Sequence, residues 1–202
     1  MAPPGARRAA LGFSPHTGWA AVVAISGPSG APSVVAKRRV EMAATFDTGA
    51  VYHAGRALPV ARAEALVRSS EQTFVAAARA SIAALAADLR DLGLEPIASA
   101  VLAGGARPLP PLEAILRSHA LVHAAEGELY RRVLARASEA CAIPAAFVPA
   151  RDLPARVAGA TGIPENRVVS LLAEIGKASG KPWARDQKEA ALAAWFALAG
   201  PR

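Results

Sequence analysis

The chain has 202 residues, a formal net charge of +7 and 53% hydrophobic residues. Charged residues make up only 19% of it, which excludes the weakly apolar, highly charged composition of disordered chains. The longest clean apolar stretch, residues 190–199, is far shorter than the roughly 20 residues that a membrane-spanning helix needs. The composition therefore predicts one globular domain over residues 1–202, with residues 1–9 flexible, and no membrane partner.

Cysteine usage and the N-terminus indicate the compartment. Cys141 is the only cysteine, which excludes an internal disulfide and any Cys-x-x-Cys metal site. Residues 1–10 contain two arginines, but no apolar run of the kind found in signal peptides follows them. We therefore expect a cytoplasmic protein. The excess of lysine and arginine favours a polyanionic partner such as nucleic acid.

The first part of the chain predicts three successive strands. Residues 11–26 are apolar and interrupted by a turn at 14–18, and a β-branched segment at 33–42 follows the turn Gly27-Pro28-Ser29-Gly30. Residues 43–59 have no periodicity and are predicted to form a loop.

Helices and strands then alternate. Apolar spacing predicts helices at 60–92, 112–142, 152–162, 163–175 and 183–198, strands at 96–105 and 144–148, and a basic loop at 176–182. A three-strand antiparallel meander followed by alternating helices and strands predicts an α/β fold. Its mixed five-stranded sheet would be flanked by helices.

Two short motifs carry a resemblance to a known family. The first predicted strand contains Gly12-Phe13-Ser14-Pro15-His16 followed by Thr17-Gly18-Trp19. The last predicted helix contains Asp186-Gln187-Lys188-Glu189 followed by Ala190-Ala191-Leu192. In this order and placement they resemble the ribonuclease H-like superfamily, and within it the RuvC-type Holliday junction resolvases. The resemblance spans most of the chain.

The resemblance implies a nuclease site that this sequence only partly retains. In that family, carboxylates on the first strand, after the fourth strand and on the last helix hold two Mg²⁺ or Mn²⁺ ions, which activate water for phosphodiester cleavage. Here Ser14 stands at the first position, and no acid occurs between Glu95 and Glu113. Asp186 and Glu189 remain as the expected metal ligands. His16 would lie near Asp186, so Ser14 and His16 complete the expected catalytic set. The family's dimers imply a homodimer.

A basic segment around the last helix is a candidate nucleic-acid surface. Four cations surround one indole that could stack on a base: Lys177, Lys181, Trp183, Arg185 and Lys188. A solvated helix entry with Trp183 packed inward explains the same residues. The segment Gly104-Gly105-Ala106-Arg107 could bind phosphate through its backbone amides, or form an ordinary strand-to-helix turn.

A second chemistry is possible on the long predicted helix. His119, His123 and Glu126 follow one another at spacings of four and three, which places them on one face. Imidazoles and a carboxylate at this spacing can bind zinc, manganese or iron, although the three residues could equally border the core.

The sequence thus leaves three hypotheses. The first is a RuvC-like nucleic-acid-binding protein with reduced or altered metal-dependent nuclease activity on structured DNA or RNA. The second is a metal enzyme acting on a small molecule, and the third is a catalytically inactive α/β scaffold that binds a partner.

Overall fold

The computed structural model of the protein describes residues 7–104 and 108–200. The strands β1 (Arg7–His16), β2 (Trp19–Ser26) and β3 (Ser33–Glu41) come first. The elements that follow are α1 (Phe46–Gly49), α2 (Val51–Gly55), α3 (Val60–Asp91), β4 (Leu94–Ala103), α4 (Leu112–Arg117), α5 (His119–Glu139), β5 (Ala145–Pro149), α6 (Leu153–Thr161), α7 (Glu165–Ser179) and α8 (Arg185–Ala199). Within the described ranges, no helix combines the length and the apolarity needed to cross a membrane.

The strands form one mixed five-stranded sheet in the order β3-β2-β1-β4-β5. β1 pairs antiparallel with β2, and β2 with β3, whereas β1–β4 and β4–β5 are parallel. Short turns join the antiparallel strands, whereas a parallel pair needs a crossover connection. Helix α3 lies in the crossover that leads to β4, and α4 and α5 form the crossover from β4 to β5. The predicted meander and mixed sheet are confirmed.

Alternation along the strands divides the core into two faces. Leu11 and Phe13 of β1 belong to the cluster that packs against α3 and α5. Gly12 lies between them and points to the opposite face, where α8 covers the sheet together with α6 and α7. Because side chains alternate in direction along a strand, Ser14 and His16 lie on the same face as Gly12. The end of β1 therefore presents both residues toward α8.

Two predictions about the N-terminal part were wrong. Residues 7–9 belong to β1, where Arg7 and Arg8 pair with Leu94 and Glu95 of β4, so these three residues are not a flexible end. Residues 1–6, for which flexibility was also predicted, lie outside the described residues. Residues 43–59 are not a loop throughout but contain α1 and α2. These helices are too short for apolar periodicity to reveal. A capping box between Thr45 and Thr48 starts α1 locally.

The predicted helix at 112–142 is in fact two helices. Ser118 separates α4 from α5 in an extended conformation, and its hydroxyl accepts a hydrogen bond from the backbone N–H of Leu121. Serine is a strong N-cap because its side chain satisfies a backbone donor that has no partner in the first turn. His119 consequently stands at the first position of α5.

The predicted basic loop at 176–182 is also shorter than expected, because α7 continues to Ser179. Gly176 is buried inside this helix, and the ring of Trp183 packs against it so closely that no side chain would fit there. The contact with Trp183 offsets the low helix propensity of glycine.

Candidate functional site

An open cleft of about 310 Å³ lies where the ends of β1 and β4 meet the N-terminus of α8. One residue of α5 and Ala150, directly after β5, complete its walls. Ligands bind at this edge of open α/β sheets, outside the carboxyl ends of the parallel strands. The polar side chains that line the cleft are Ser14, His16, Arg131, Arg185, Asp186 and Glu189. Four of them were predicted as catalytic and one as nucleic-acid-binding.

His16 and Asp186 form the contact that the sequence suggested. The Nε2 atom of His16 lies 3.1 Å from Oδ1 of Asp186, and both side chains are partly exposed. The contact arises because His16 ends β1 on the face that α8 covers, while Asp186 lies in the first turn of that helix. Asp186 therefore has a basic partner from outside its own helix.

Trp19 holds the His16 ring in place. The two rings stack with their centroids 4.2 Å apart and an interplanar angle of 10°. The guanidinium carbon of Arg39 lies 4.0 Å from the centroid of the Trp19 ring, a cation–π arrangement. In the sequence, Trp19 is recognisable only as the last residue of the motif Thr17-Gly18-Trp19, which predicts no role for its ring. Its supporting role depends on the turn at residues 17–18, which folds β2 back beside β1.

Glu189 already has a partner on its own helix. Nε of Arg185 donates a hydrogen bond to Oε1 of Glu189 over 2.7 Å, across one helical turn. This hydrogen bond raises the pKa of Arg185 above its ordinary value, so the guanidinium remains charged. The charge of Glu189, the second carboxylate of the cleft, is therefore neutralised by Arg185, which was predicted to bind nucleic acid.

Arg131 of α5 occupies the end of β4. A Cβ at Gly104 would lie 3.0 Å from Nη2 of Arg131, so the guanidinium packs directly over this glycine. Arg131 Nη1 is 3.4 Å from Oε2 of Glu128, while its Nε is buried without a hydrogen-bond partner. Where the family resemblance implies a carboxylate, this cleft has a cation. No sequence pattern marks Arg131 for that position, because this residue comes from a helix that is distant along the chain.

The cleft does not fit two divalent ions. Magnesium requires an octahedral set of oxygen ligands and is usually bound by carboxylates. Both carboxylates of the cleft contact His16 or Arg185, and a second guanidinium lines the same space. Ser14 is 5% exposed and offers only a neutral hydroxyl. A two-metal centre would lack ligands and face repulsion from both arginines.

The predicted basic surface is divided by the structure. Lys177, Lys181 and Lys188 are exposed near the start of α8. Trp183 is instead packed on Gly176, and its indole N–H is buried without a hydrogen-bond partner. Nζ of Lys37 also lies 5.8 Å from the centroid of the Trp183 ring. This arrangement favours the inward-packed alternative, so the ring is not a free stacking platform.

The predicted phosphate-binding turn begins at Gly104 in the cleft wall. Gly105, Ala106 and Arg107 lie outside the described residues, so the prediction for this turn stays a prediction.

The second predicted metal set is rearranged. His119 and His123 are brought together, with their Nε2 atoms 3.0 Å apart. Glu126 is 2% exposed and contacts His53, not the other two histidines. His53 lies in the segment predicted as a loop, and only its residue type could have drawn attention to it.

The sheet order and the helices on both faces define a ribonuclease H-like fold. Among solved structures, the chain is similar to RuvC of Thermus thermophilus. For that protein in complex with a Holliday junction substrate, the TM-score is 0.55 at 12% sequence identity, covering 93% of this chain and 91% of that chain. A second structure of T. thermophilus RuvC gives a TM-score of 0.50 at 13% identity, with 93% and 91% covered.

At this level of identity, the likeness establishes the fold and leaves the activity to be argued from the site. No known protein family and no curated protein matches the sequence. The RuvC-like architecture expected from the sequence motifs is thus confirmed by structural similarity and not by a match to a known sequence family.

Proposed function

We propose that this protein binds structured DNA or RNA in the cleft, and that its metal-dependent nuclease activity is reduced. The observation that carries the proposal is the pairing of both cleft carboxylates, Asp186 with His16 and Glu189 with Arg185. A cleft that has lost half of its acidic ligands and gained guanidinium groups is better suited to holding a phosphate than to activating water with metal ions.

Arg131 is the clearest phosphate ligand in the cleft. Its side chain lines the cleft and is partly exposed there. The planar guanidinium matches the geometry of phosphate oxygens and can donate to two of them at once. Arg185, on the opposite wall, would contact the same strand of nucleic acid.

The flank of the cleft extends the positive surface. Lys177, Lys181 and Lys188 are exposed on the end of α7, the following loop and the start of α8. Lysines of this kind position a nucleic acid through its phosphates without reading its sequence. They would guide a long or branched substrate toward the cleft.

An Mg²⁺ or Mn²⁺ site on Asp186 and Glu189 stays the sequence-based expectation for residual cleavage. Such an ion would have to displace His16 and Arg185 from the two carboxylates. Binding of nucleic acid should therefore not require a divalent ion. The cytoplasmic location and the homodimer also stay predictions.

The test is a binding titration with labelled four-way junction, matching duplex, single strand and RNA, each with EDTA, Mg²⁺ or Mn²⁺. We expect the junction to bind most tightly, with or without metal, and affinity to fall steeply as salt rises because counterions are released. The same samples report cleavage on denaturing gels. Rapid Mg²⁺-dependent cleavage would contradict the reduced activity.

Matched variants assign the binding to the cleft. Arg131→Gln and Arg185→Ala should each weaken junction binding and lower the salt slope by about one phosphate contact. Arg68→Ala is the control, because Arg68 forms the same kind of one-turn pair with Glu64 at 2.7 Å, on α3. If all the nucleic acids fail to bind at roughly 50 mM salt, where electrostatic affinity is exaggerated, the scaffold hypothesis replaces this proposal.

A further inference from the structure

Three of the four histidines of the chain converge at the start of α5, outside the cleft. One ring nitrogen from each of His53, His119 and His123 lies within 4.8 Å of the other two. The ring of His53 stands edge-on to the other rings, with centroids 5.5 Å from His119 and 4.7 Å from His123. Ligand nitrogens around a tetrahedral zinc ion are about 3.3 Å apart, given Zn–N bonds of about 2.0–2.1 Å. The 3.0 Å between Nε2 of His119 and Nε2 of His123 is close to that spacing.

Glu126 holds the ring of His53 through a direct contact. Oε1 of this carboxylate lies 3.0 Å from Nδ1 of His53 and 3.3 Å from its backbone nitrogen. A proton held on Nδ1 by the carboxylate leaves the Nε2 lone pair free to bind a metal. Metal-binding histidines commonly have such a carboxylate behind the ring, which fixes the tautomer and raises the basicity of the ligand.

The burial of Glu126 also needs a positive charge nearby. Its side chain is 2% exposed, and among the described residues its only ion-pair partner is His53. A buried carboxylate is costly unless it is paired with a positive charge. A cation bound to the far side of the His53 ring would supply that charge through the imidazole.

The backbone around His53 is held in position by contacts that need no metal. The hydroxyl of Tyr130 on α5 donates to the carbonyl oxygen of Gly49 over 2.7 Å, just before α2. Nε of Arg56 donates to the carbonyl oxygen of Leu116 at the end of α4 over 3.2 Å. One end of α2 is thus tied to α5, which carries the other two histidines, and the other end to α4, which directly precedes α5. The three ligands are already assembled, so binding would need little reorganisation.

We propose that His53, His119 and His123 bind one Zn²⁺ ion, with Glu126 as the carboxylate that positions His53. Imidazole ligands favour zinc and other late transition metals over magnesium and calcium, which prefer oxygen. Three histidines leave the fourth tetrahedral position to water or to an anionic ligand, and the exposure of His119 and His123 keeps this position accessible.

The site goes beyond the proposed function, since it shares no residue with the cleft. His119 and Arg131 lie on the same helix, roughly 18 Å apart along its axis at 1.5 Å per residue. Zinc binding and junction binding can therefore succeed or fail independently.

The experiment is a calorimetric titration of the full chain, without a histidine tag, with Zn²⁺ and separately with Mg²⁺. We expect one Zn²⁺ per chain, no comparable Mg²⁺ binding and a higher melting temperature with Zn²⁺, because the ion binds only the folded state. Replacing Zn²⁺ with Co²⁺ gives a second readout. A tetrahedral cobalt site absorbs visible light much more strongly than an octahedral one.

Four variants test the ligand assignment. His53→Ala, His119→Ala and His123→Ala should each weaken Zn²⁺ binding by more than the roughly 10- to 100-fold typical of losing a supporting carboxylate. Glu126→Gln should weaken it within that range, since an amide oxygen can still accept the His53 proton but carries no charge. Circular dichroism shows whether each variant is folded.

His16→Ala is the matched control, because it removes the one histidine outside the cluster. Zn²⁺ affinity should be unchanged in this variant. The proposal is overturned if folded wild-type protein does not bind Zn²⁺, if the three cluster variants bind it as well as wild type, or if only His16→Ala loses it.

Discussion

Gly12 of β1 lies directly against the backbone of Ala190 on α8, so that a Cβ at residue 12 would overlap the carbonyl oxygen of residue 190. No other residue type permits this approach of helix to strand. The buried face of α8 consists of small side chains that let the helix approach the sheet closely: Ala190, Ala191, Ala193 and Ala194 are all fully buried. The close packing carries the first turn of α8 to the end of β1, and this is how Asp186 reaches His16.

Gly12→Ala should therefore destabilise the fold. The methyl group would push α8 away from the sheet, and overpacking of this kind costs about 1–3 kcal/mol, occasionally more. Urea unfolding measures the loss. Gly159→Ala is the control, because this exposed glycine of α6 has open space around it. The free energy of unfolding of Gly159→Ala should rise by about 0.5–1 kcal/mol, because alanine has a higher helix propensity than glycine. Equal stabilities of the two variants would contradict the packing argument.

Asp186→Asn should strengthen the binding of nucleic acid when no metal is present. The substitution removes a negative charge from the cleft while keeping the shape of the side chain. We expect a several-fold gain in junction affinity in EDTA at low salt, and any residual cleavage should disappear. Anisotropy titrations measure the gain. Asp88→Asn, which removes an exposed carboxylate paired with Arg38, should have no effect. Weaker binding of Asp186→Asn in EDTA would show that the carboxylate itself contacts the nucleic acid.

Lys37→Met should loosen the connection between α7 and α8. Nζ of Lys37 donates to the carbonyl oxygens of Ser179, Gly180 and Pro182, at 2.9, 2.6 and 3.2 Å. Methionine retains the apolar stem but leaves these carbonyls without that donor. Amide hydrogen exchange over residues 177–184 should accelerate. Arg38→Met, on the same strand, breaks only an exposed ion pair and should leave the exchange unchanged. Equal exchange in the two variants would show that Lys37 does not hold this segment.

Tyr130→Phe should destabilise the protein by about 1–3 kcal/mol. The variant removes the donor to the Gly49 carbonyl, and a buried acceptor left without its partner carries this cost. Thermal and urea unfolding at neutral pH measure the change. An unchanged stability would mean that water replaces the tyrosine hydroxyl.

The same variant should alter the stability at alkaline pH. Burial raises the pKa of Tyr130 well above its ordinary value of 10.0. Because the folded state keeps a proton that the unfolded chain releases, this contribution is complete below pH 10 and is lost as the pH rises toward the folded-state pKa. Wild-type protein should therefore lose more stability than Tyr130→Phe between pH 9 and pH 11. Parallel losses would contradict the shifted pKa. Burial also raises the pKa of Tyr52. Because Tyr52 is present in both the wild type and Tyr130→Phe, it does not contribute to the difference between them.

Most of the fold could be predicted from local patterns. The turn at residues 17–18, the Gly-Pro-Ser-Gly turn and the periodicity of α3 each reflect interactions between near neighbours in the chain. Local sequence patterns did not predict two features, the short helices α1 and α2 and the break between α4 and α5. The short helices α1 and α2 have too few residues for a period, and the break at Ser118 depends on a capping hydrogen bond inside an otherwise helical pattern.

The candidate sites were predictable only in part. The resemblance to RuvC-type resolvases placed His16 near Asp186, and the helical spacing of four residues placed His119 beside His123. It assigned Glu126 as a ligand, whereas the structure turns this residue toward His53, which is 73 positions away. Such pairings depend on how α2 packs on α5, and no local spacing encodes that.

By itself, the sequence determined the order of the strands and the longer helices, the absence of two carboxylates that the RuvC resemblance implies, and the positive charge, since these follow from residue identity and near-neighbour spacing. Only the tertiary structure decided which side chains meet. It placed the Arg131 guanidinium over Gly104, packed Trp183 on Gly176 and brought His53 to the start of α5. These contacts join residues from separate elements, and they form only when the close packing of the core fixes the elements relative to one another.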